Sequence, residues 1–193
     1  MKAPLLTTDR LVLRSFQDGD IDHLVREIMD DARSMAMFFE DPRTDDEKTA
    51  CAQRFVESYS TPWAQHGFGG WAVCSRGGDL GAADTFLGFC GFEVGELRDA
   101  GAELGYGYGR SCHRKGIGPE AAKAAIDWYF SQTGFDKTYA CIHPDNDGSR
   151  KVLERSGLIY SRDEDLWGSV EKGVGKLPVF TLDKTRWKQL TGN

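Results

Sequence analysis

The chain has 193 residues, 40% of them hydrophobic and 28% charged, which is ordinary for a soluble folded protein and enough for one sizeable core. Its formal net charge is -6, whereas a duplex-binding surface needs a basic excess to neutralise phosphates, so nucleic acid is excluded as the main partner. No apolar run approaches the roughly 20 residues that span a bilayer, and residues 1–10 hold no apolar signal core. The five cysteines are odd in number and include no C-x-x-C pair; they are expected as free thiols in a reducing cytoplasm. Cys112-His113 is the only adjacent Cys/His pair, and no other ligand pair is spaced to help it, so no metal is expected.

In chain order, Leu11-Val12-Leu13-Arg14 reads as a first strand. Asp18, Gly19 and Asp20 offer a helix start, with Ile21, Leu24, Val25 and Ile28 at helical spacing behind it. Residues 29–47 are irregular, and a second helix is expected over residues 45–59 with Phe55 and Val56 turned inward. The apolar runs at residues 71–74 and 86–92 make a hairpin-like pair around the glycine turn in residues 76–79. Residues 102–108 form a third strand. Its Gly105 and Gly107 mark a bulge or the close approach of another group. Residues 117–130 are the clearest helix, 138–142 a strand, 146–156 a shorter helix with Gly157 at its left-handed cap, and 177–181 a last strand. Strands first, then strand–helix–strand–helix–strand, indicate an α/β (α+β) fold: one domain over residues 1–193, with helices packed on a mixed sheet.

His113-Arg114-Lys115-Gly116-Ile117-Gly118-Pro119-Glu120 joins the glycine-containing strand to the long helix. Gly116 and Gly118 let the backbone approach a ligand, and the helix behind them offers unpaired N–H groups and a positive dipole end. Together these suit a pyrophosphate. The segment is neither a P-loop, since no Ser or Thr follows Lys115, nor a dinucleotide fingerprint, since Gly118 is followed by Pro119-Glu120-Ala121.

Four segments in order resemble the GNAT superfamily of N-acetyltransferases, most closely its RimJ/RimL branch of ribosomal-protein N-terminal acetyltransferases. They are Thr7-Thr8-Asp9-Arg10-Leu11-Val12-Leu13-Arg14, Phe86-Leu87-Gly88-Phe89-Cys90-Gly91, residues 102–120, and Asn146-Asp147-Gly148-Ser149 running on to Gly157. The resemblance implies a mostly antiparallel sheet of about seven strands with helices on both faces, and a splayed central pair between residues 102–108 and 138–142. It implies acetyl-CoA as donor, a primary amine as acceptor and direct attack on the thioester. It assigns Tyr106, Gly107, Tyr108, Arg114, Lys115, Gly116, Ile117, Gly118, Asn146 and Ser149 to the cofactor. The N–H of Tyr106 or Tyr108, freed by a bulge, would polarise the thioester carbonyl. Glu103 would be the base, with Ser149 or the Tyr106 phenol as proton donor. Three departures stand out: His113 opens the loop in place of Gln or Arg, Pro119 removes one amide donor, and Leu153 occupies the position where many members carry a general-acid Tyr.

In this family the segment between the first two helices and a late hairpin shape the acceptor site, here residues 29–47 and about 163–176. The first holds seven acids, Asp30, Asp31, Glu40, Asp41, Asp45, Asp46 and Glu47, an acidic rim that would favour a cationic amine. Trp63, Phe68, Trp71 and Trp167 are candidates to line the acceptor pocket, with core packing the plainer reading of Trp71. The expected partners are acetyl-CoA and a small-molecule amine or peptide N-terminus, without nucleic acid or membrane, in a monomer or homodimer. The alternatives are a non-catalytic acyl-CoA-binding module of the same fold and a different nucleotide-dependent enzyme using the glycine loop.

Overall fold

The computed structural model describes residues 2–38 and 40–192. Its strands are β1 (Leu6–Thr7), β2 (Leu11–Arg14), β3 (Gly70–Ser75), β4 (Phe86–Glu93), β5 (Ala102–Tyr108), β6 (Lys137–Cys141), β7 (Ile159–Glu164) and β8 (Leu177–Asp183). They form one sheet in the order β1-β2-β3-β4-β5-β6-β8-β7. Only β5 and β6 run parallel; every other neighbouring pair is antiparallel. The helices are α1 (Asp20–Leu24), α2 (Ala32–Met37), α3 (Asp45–Ser60), α4 (Pro62–Gln65), α5 (Ile117–Gln132), α6 (Asp147–Arg155) and α7 (Lys184–Thr191), with a π-helical turn at Val25–Met29 continuing α1.

Side-chain alternation divides the strands between two cores. On β3, Trp71 and Val73 join Ala121, Ala125 and Tyr129 of α5 on one face. Ala72 and Cys74 point the other way, to Cys51, Ala52 and Tyr59 of α3. The buried stripe of α3 is therefore Cys51, Ala52 and Tyr59, with Phe55 and Val56 only partly buried beside it. Two small residues, Ala121 and Ala125, let α5 lie close to the sheet, while the Phe92 and Tyr129 rings stack at 4.3 Å between centroids. Thr44 caps α3 in a reciprocal box with Glu47, which accounts for its start.

Among the described residues the sheet has eight strands, where the family resemblance implies about seven. The run at residues 86–92 continues one residue further, to Glu93. The chain enters β7 through Gly157, which takes a left-handed φ of 94° after α6; Gly157 N–H bonds to Glu154 O and Leu158 N–H to Leu153 O.

Candidate active site

Strands β5 and β6 pair at Ala102↔Thr138 and Glu103↔Tyr139 and at no later rung. Beyond Glu103 the two strands diverge, so the sheet is open along the rest of β5. On its other edge β5 is fully zipped to β4, from Glu93↔Glu103 to Gly88↔Tyr108. Gly109 N–H bonds to Leu87 O at 3.2 Å, which makes 87/109 a hydrogen-bonded pair of that ladder. Every second pair has the same character, so Gly107, Gly105 and Glu103 spend their backbone groups on β4. The N–H groups of Tyr106 and Tyr108 consequently point into the gap.

That ladder runs through Gly105 and Gly107 without a register shift, so the bulge expected there is absent; the irregular rungs lie at Val73/Cys74 and Tyr160/Arg162. The glycines answer to a different demand. A Cβ at Gly105 would land on the Tyr59 hydroxyl, and one at Gly107 would meet Phe89 at 2.7 Å and Phe38 at 3.1 Å. Both glycines make room for aromatic rings under α2 and α3. The gap-facing amides follow from ordinary strand alternation.

At the C-terminal end of β5 the chain turns through residues 113–116 into α5. Arg114 (φ 62°) and Gly116 (φ 76°) are left-handed and Lys115 between them is not, an alternation that turns successive N–H groups to one side. Gly116 is the N-cap of α5 and no side chain caps it. The amides of Ile117 and Gly118 therefore face the same concavity, and Pro119 brings none. Arg10 braces the loop from behind. Its Nη1 donates to Lys115 O at 3.0 Å, and its Nε and Nη2 donate to Glu120 Oε2 at 2.8 and 2.6 Å. Thr8 Oγ1 donates to Glu120 Oε1 at 2.5 Å. Burial raises the Glu120 carboxyl, but the Thr8 and Arg10 donors outweigh it and hold the group below its ordinary value.

Two polar clusters flank the gap on opposite faces of the sheet. On the α6 side, the Tyr106 hydroxyl lies 2.7 Å from Ser149 Oγ and 3.1 Å from Ser149 O. Asn146 Oδ1 accepts from Ser149 N at 3.0 Å, so Asn146 acts as the cap of α6 and also fixes Ser149. On the α3 side stand two carboxyl groups. Glu103 is 5% exposed and accepts from Tyr139 Oη at 2.8 Å, Cys141 Sγ at 2.9 Å and Trp167 Nε1 at 3.4 Å. Glu93, directly opposite on β4, accepts from Tyr59 Oη at 2.9 Å. Burial pushes the Glu103 carboxyl above its ordinary value against those three donors. Both clusters, the glycine loop and the gap border one cleft of about 1380 Å³.

Residues 10–159 match the family model described as an acetyltransferase (GNAT) domain. This chain belongs to the GNAT acetyltransferase family. A relative from Bacillus subtilis, the uncharacterized protein YkkB, is 28% identical over 163 residues, 84% of this chain and 89% of the relative. The fold is that of an acetyltransferase from Agrobacterium tumefaciens, with a TM-score of 0.74 at 22% identity over 95% of this chain and 96% of that one. RimL, a ribosomal-protein acetyltransferase solved in complex with coenzyme A, shares it with a TM-score of 0.66 at 15% identity over 93% and 98% of the two chains.

Within this GNAT fold the cleft brings together Glu103, Tyr106, Gly107, Tyr108, Arg114, Gly116, Ile117, Gly118, Asn146 and Ser149. Lys115 is the exception: it does not line the cleft, and its carbonyl is held by Arg10. Of the acids in residues 29–47, only Asp31 and Glu40 reach the cleft, beside Arg33 and Arg54. Asp30 pairs with Lys48, Asp41 with Arg43, Glu40 with Arg54 and Asp31 with Arg110, so four of the seven acids have a cationic partner, and Glu47 is committed to the α3 cap. Trp63, Phe68 and Trp71 are core residues on the α5 face, whereas Trp167 does line the cleft. Three residues escaped sequence reasoning: Glu93, Tyr59 and Tyr139. The signal for Glu93 was one carboxylate ending an apolar strand; Tyr59 and Tyr139 carried none. Among the described residues, no group of three or more His, Cys, Asp or Glu could hold a metal ion, and no helix is long and apolar enough to cross a membrane.

Proposed function

We propose that this GNAT chain catalyses acetyl transfer from acetyl-CoA to a primary amine by direct attack of the amine on the thioester. The observation that carries the reading is the opening of the sheet beyond Glu103↔Tyr139, with the glycine loop at one end and paired carboxylates at the other. The loop amides from Arg114 to Gly118 suit a pyrophosphate, and the gap suits an extended pantetheine arm that bonds to β5 as a strand would. The Tyr106 N–H then faces the thioester carbonyl and stabilises the developing oxyanion, an effect of about 3 kcal/mol for one such donor.

The two faces of β5 divide the proton chemistry. An alkylammonium must lose one proton before it attacks, and the carboxylates on the α3 side are placed to take it. The second amine proton passes to solvent in the cleft as the amide forms, while the departing thiolate gains one from the Ser149–Tyr106 pair on the α6 side, which solvent then reprotonates. Burial raises the Tyr106 phenol well above its ordinary value, against the lowering influence of Ser149, so it stays protonated at neutral pH and gives up a proton only as it is replaced. That hydroxyl pair supports a proton route that does without the family Tyr, whose position is the fully buried Leu153.

The first-strand and loop motifs, together with a fold shared with RimL, support a place in the RimJ/RimL-like branch. The acceptor is then a peptide N-terminus or a small amine. An assay of released CoA thiol against polyamines, aminoglycosides, amino acids and basic peptides tests this. Turnover with at least one amine is expected. Tight acetyl-CoA binding with no turnover in the whole panel would favour the non-catalytic acyl-CoA module, and stabilisation by ATP or NAD alone would sink the reading.

A further inference from the structure

The geometry assigns the proton-accepting role to Glu93, with Glu103 as the residue that positions and tunes it. This inference rests on the acetyl-transfer reading and names which carboxylate does the work. Glu93 and Glu103 are partners across the antiparallel β4–β5 ladder, so both side chains rise from the same face, toward α3. They stand at the last β5–β6 rung, where the gap begins.

Their surroundings differ. Glu103 is almost fully buried and both of its oxygens are taken: Tyr139 holds Oε2, and Cys141 and Trp167 hold Oε1. Such a carboxylate is fixed and well satisfied, and proton uptake would break up its cage of donors. Glu93 is only partly buried, lines the cleft beside Ser58 and Tyr59, and accepts from Tyr59 at one oxygen, Oε1. The Tyr59 ring, pinned over Gly105, holds that oxygen while the carboxyl group lines the cleft.

The step balances simply. An ammonium N–H bond breaks and an O–H bond forms on Glu93, leaving the nitrogen lone pair free. The N–C bond then forms and the C–S bond breaks; the thiolate takes a proton from the Ser149–Tyr106 pair, and the second N–H proton, released as the amide forms, restores that pair through solvent in the cleft. Glu93 returns its proton to water through the cleft.

The charge environment agrees with this placement. Burial first, then the negative charge of Glu103, push the Glu93 carboxyl up to about 7, against the lowering influence of the Tyr59 and Ser58 hydroxyls. Cys141 on β6 feels both carboxylates, but burial drives its thiol far above its ordinary value, so it stays neutral. The groups that face Glu93 are thus Glu103 from β5, Tyr59 and Ser58 from α3, and Cys141 from β6. A base poised near neutrality is matched to accepting a proton and releasing it again.

Two measurements test the assignment. In ¹³C-carboxyl NMR of the whole chain, one glutamate with a midpoint near 7 is expected. It should vanish in Glu93→Gln and move to lower pH in Glu103→Gln, because the neighbouring charge is gone. A midpoint near 7 that survives in Glu93→Gln, or does not move in Glu103→Gln, overturns the proposal without needing any acceptor. With an alkylamine that the wild type turns over, Glu93→Gln should lower kcat by about 100-fold or more and lose the acidic limb of the rate profile. Glu93→Asp should restore that limb. The defect should shrink for an amine whose conjugate acid titrates below the assay pH. Wild-type rates in Glu93→Gln, or loss of the limb in Glu103→Gln alone, would return the role to Glu103. Thermal shift with acetyl-CoA is read separately: no stabilisation of the wild type removes the acetyl-transfer reading itself.

Discussion

Glu93 shows how a functional carboxylate trades stability for reactivity. Its ordinary value is 4.5, and in the folded chain it is pushed up to about 7. Between those values the folded state holds a proton that the unfolded state has released. Stability therefore falls as pH rises through that window, and the full cost is present above about 7. One pKa unit is about 1.4 kcal/mol, so the shift caps the cost at about 3.4 kcal/mol; the partial exposure of the side chain brings it nearer 2 kcal/mol. Glu93→Gln is accordingly expected to be more stable than the wild type by about 2 kcal/mol at pH 8 and nearly equal to it at pH 4. Denaturant unfolding at the two pH values checks this. A constant difference between the two proteins would show that Glu93 is not the titrating group. A side chain whose removal stabilises the fold but stops the reaction is present for the chemistry.

At the scale of elements, the brace behind the glycine loop is the feature that couples two distant motifs. Arg10 precedes β2, yet it holds Lys115 O and Glu120 more than a hundred residues along the chain, so the first-strand motif acts on the glycine loop through one guanidinium. The contact is partly exposed, and its loss costs about 1 kcal/mol of stability. Its larger effect is on loop geometry. Arg10→Ala is expected to weaken acetyl-CoA binding about tenfold, roughly 1.4 kcal/mol, with kcat at saturating donor nearly unchanged. Arg10→Lys keeps the charge but not the fork and should fall between the two. Calorimetric titration with acetyl-CoA checks the order; equal affinities in all three would make the brace purely a folding device. Gly105→Ala tests the opposite face. Its methyl group would displace the Tyr59 hydroxyl from Glu93, so kcat should drop about tenfold while acetyl-CoA affinity stays within about twofold. Weakened donor binding with normal kcat would show that Tyr59 serves the gap rather than the carboxylate.

The same elements show what was legible in the chain. The strand at residues 102–108 and the helix after it could be read because each has a strong local signal: apolar alternation broken by glycines, then a glycine turn and an apolar face. Strand β7 could not, because Ile159 to Asp163 are all exposed and show no buried alternation; β8 alone orders them. Helix α7 was likewise missed, since Trp187 is its only buried residue. Tyr59 was visible only as an aromatic residue late in α3. Its role comes from crossing over Gly105 to reach Glu93, a tertiary fact with no local trace. The acidic rim is a related case: a count of acids does not reveal which are already paired with Lys48, Arg43 or the α3 cap.

For the whole molecule, the decisive property is that its single sheet is joined across the middle by two rungs, Ala102↔Thr138 and Glu103↔Tyr139. The β1–β5 half, with α3 over it, and the β6–β8 half are held together there and by α5 and α6, which pack on each other closely enough that a Cβ at Gly118 would sit 2.9 Å from Val152. A donor seated in the gap would complete the sheet. At 100 times its dissociation constant a ligand stabilises the native state by about 2.7 kcal/mol, which slows the slowest amides about 100-fold regardless of where it binds. The informative amides are those that exchange by local opening. In β5, Gly105 and Gly107 N–H groups are bonded to β4 with or without ligand, while those of Tyr106 and Tyr108 face the gap. Acetyl-CoA should therefore raise protection in an alternating pattern, strongly at Tyr106 and Tyr108 and weakly at Gly105 and Gly107. Hydrogen exchange resolved to single amides checks it. Equal gains at all four positions would mean that the ligand rigidifies the fold from elsewhere, and the gap would lose its standing as the seat of the donor.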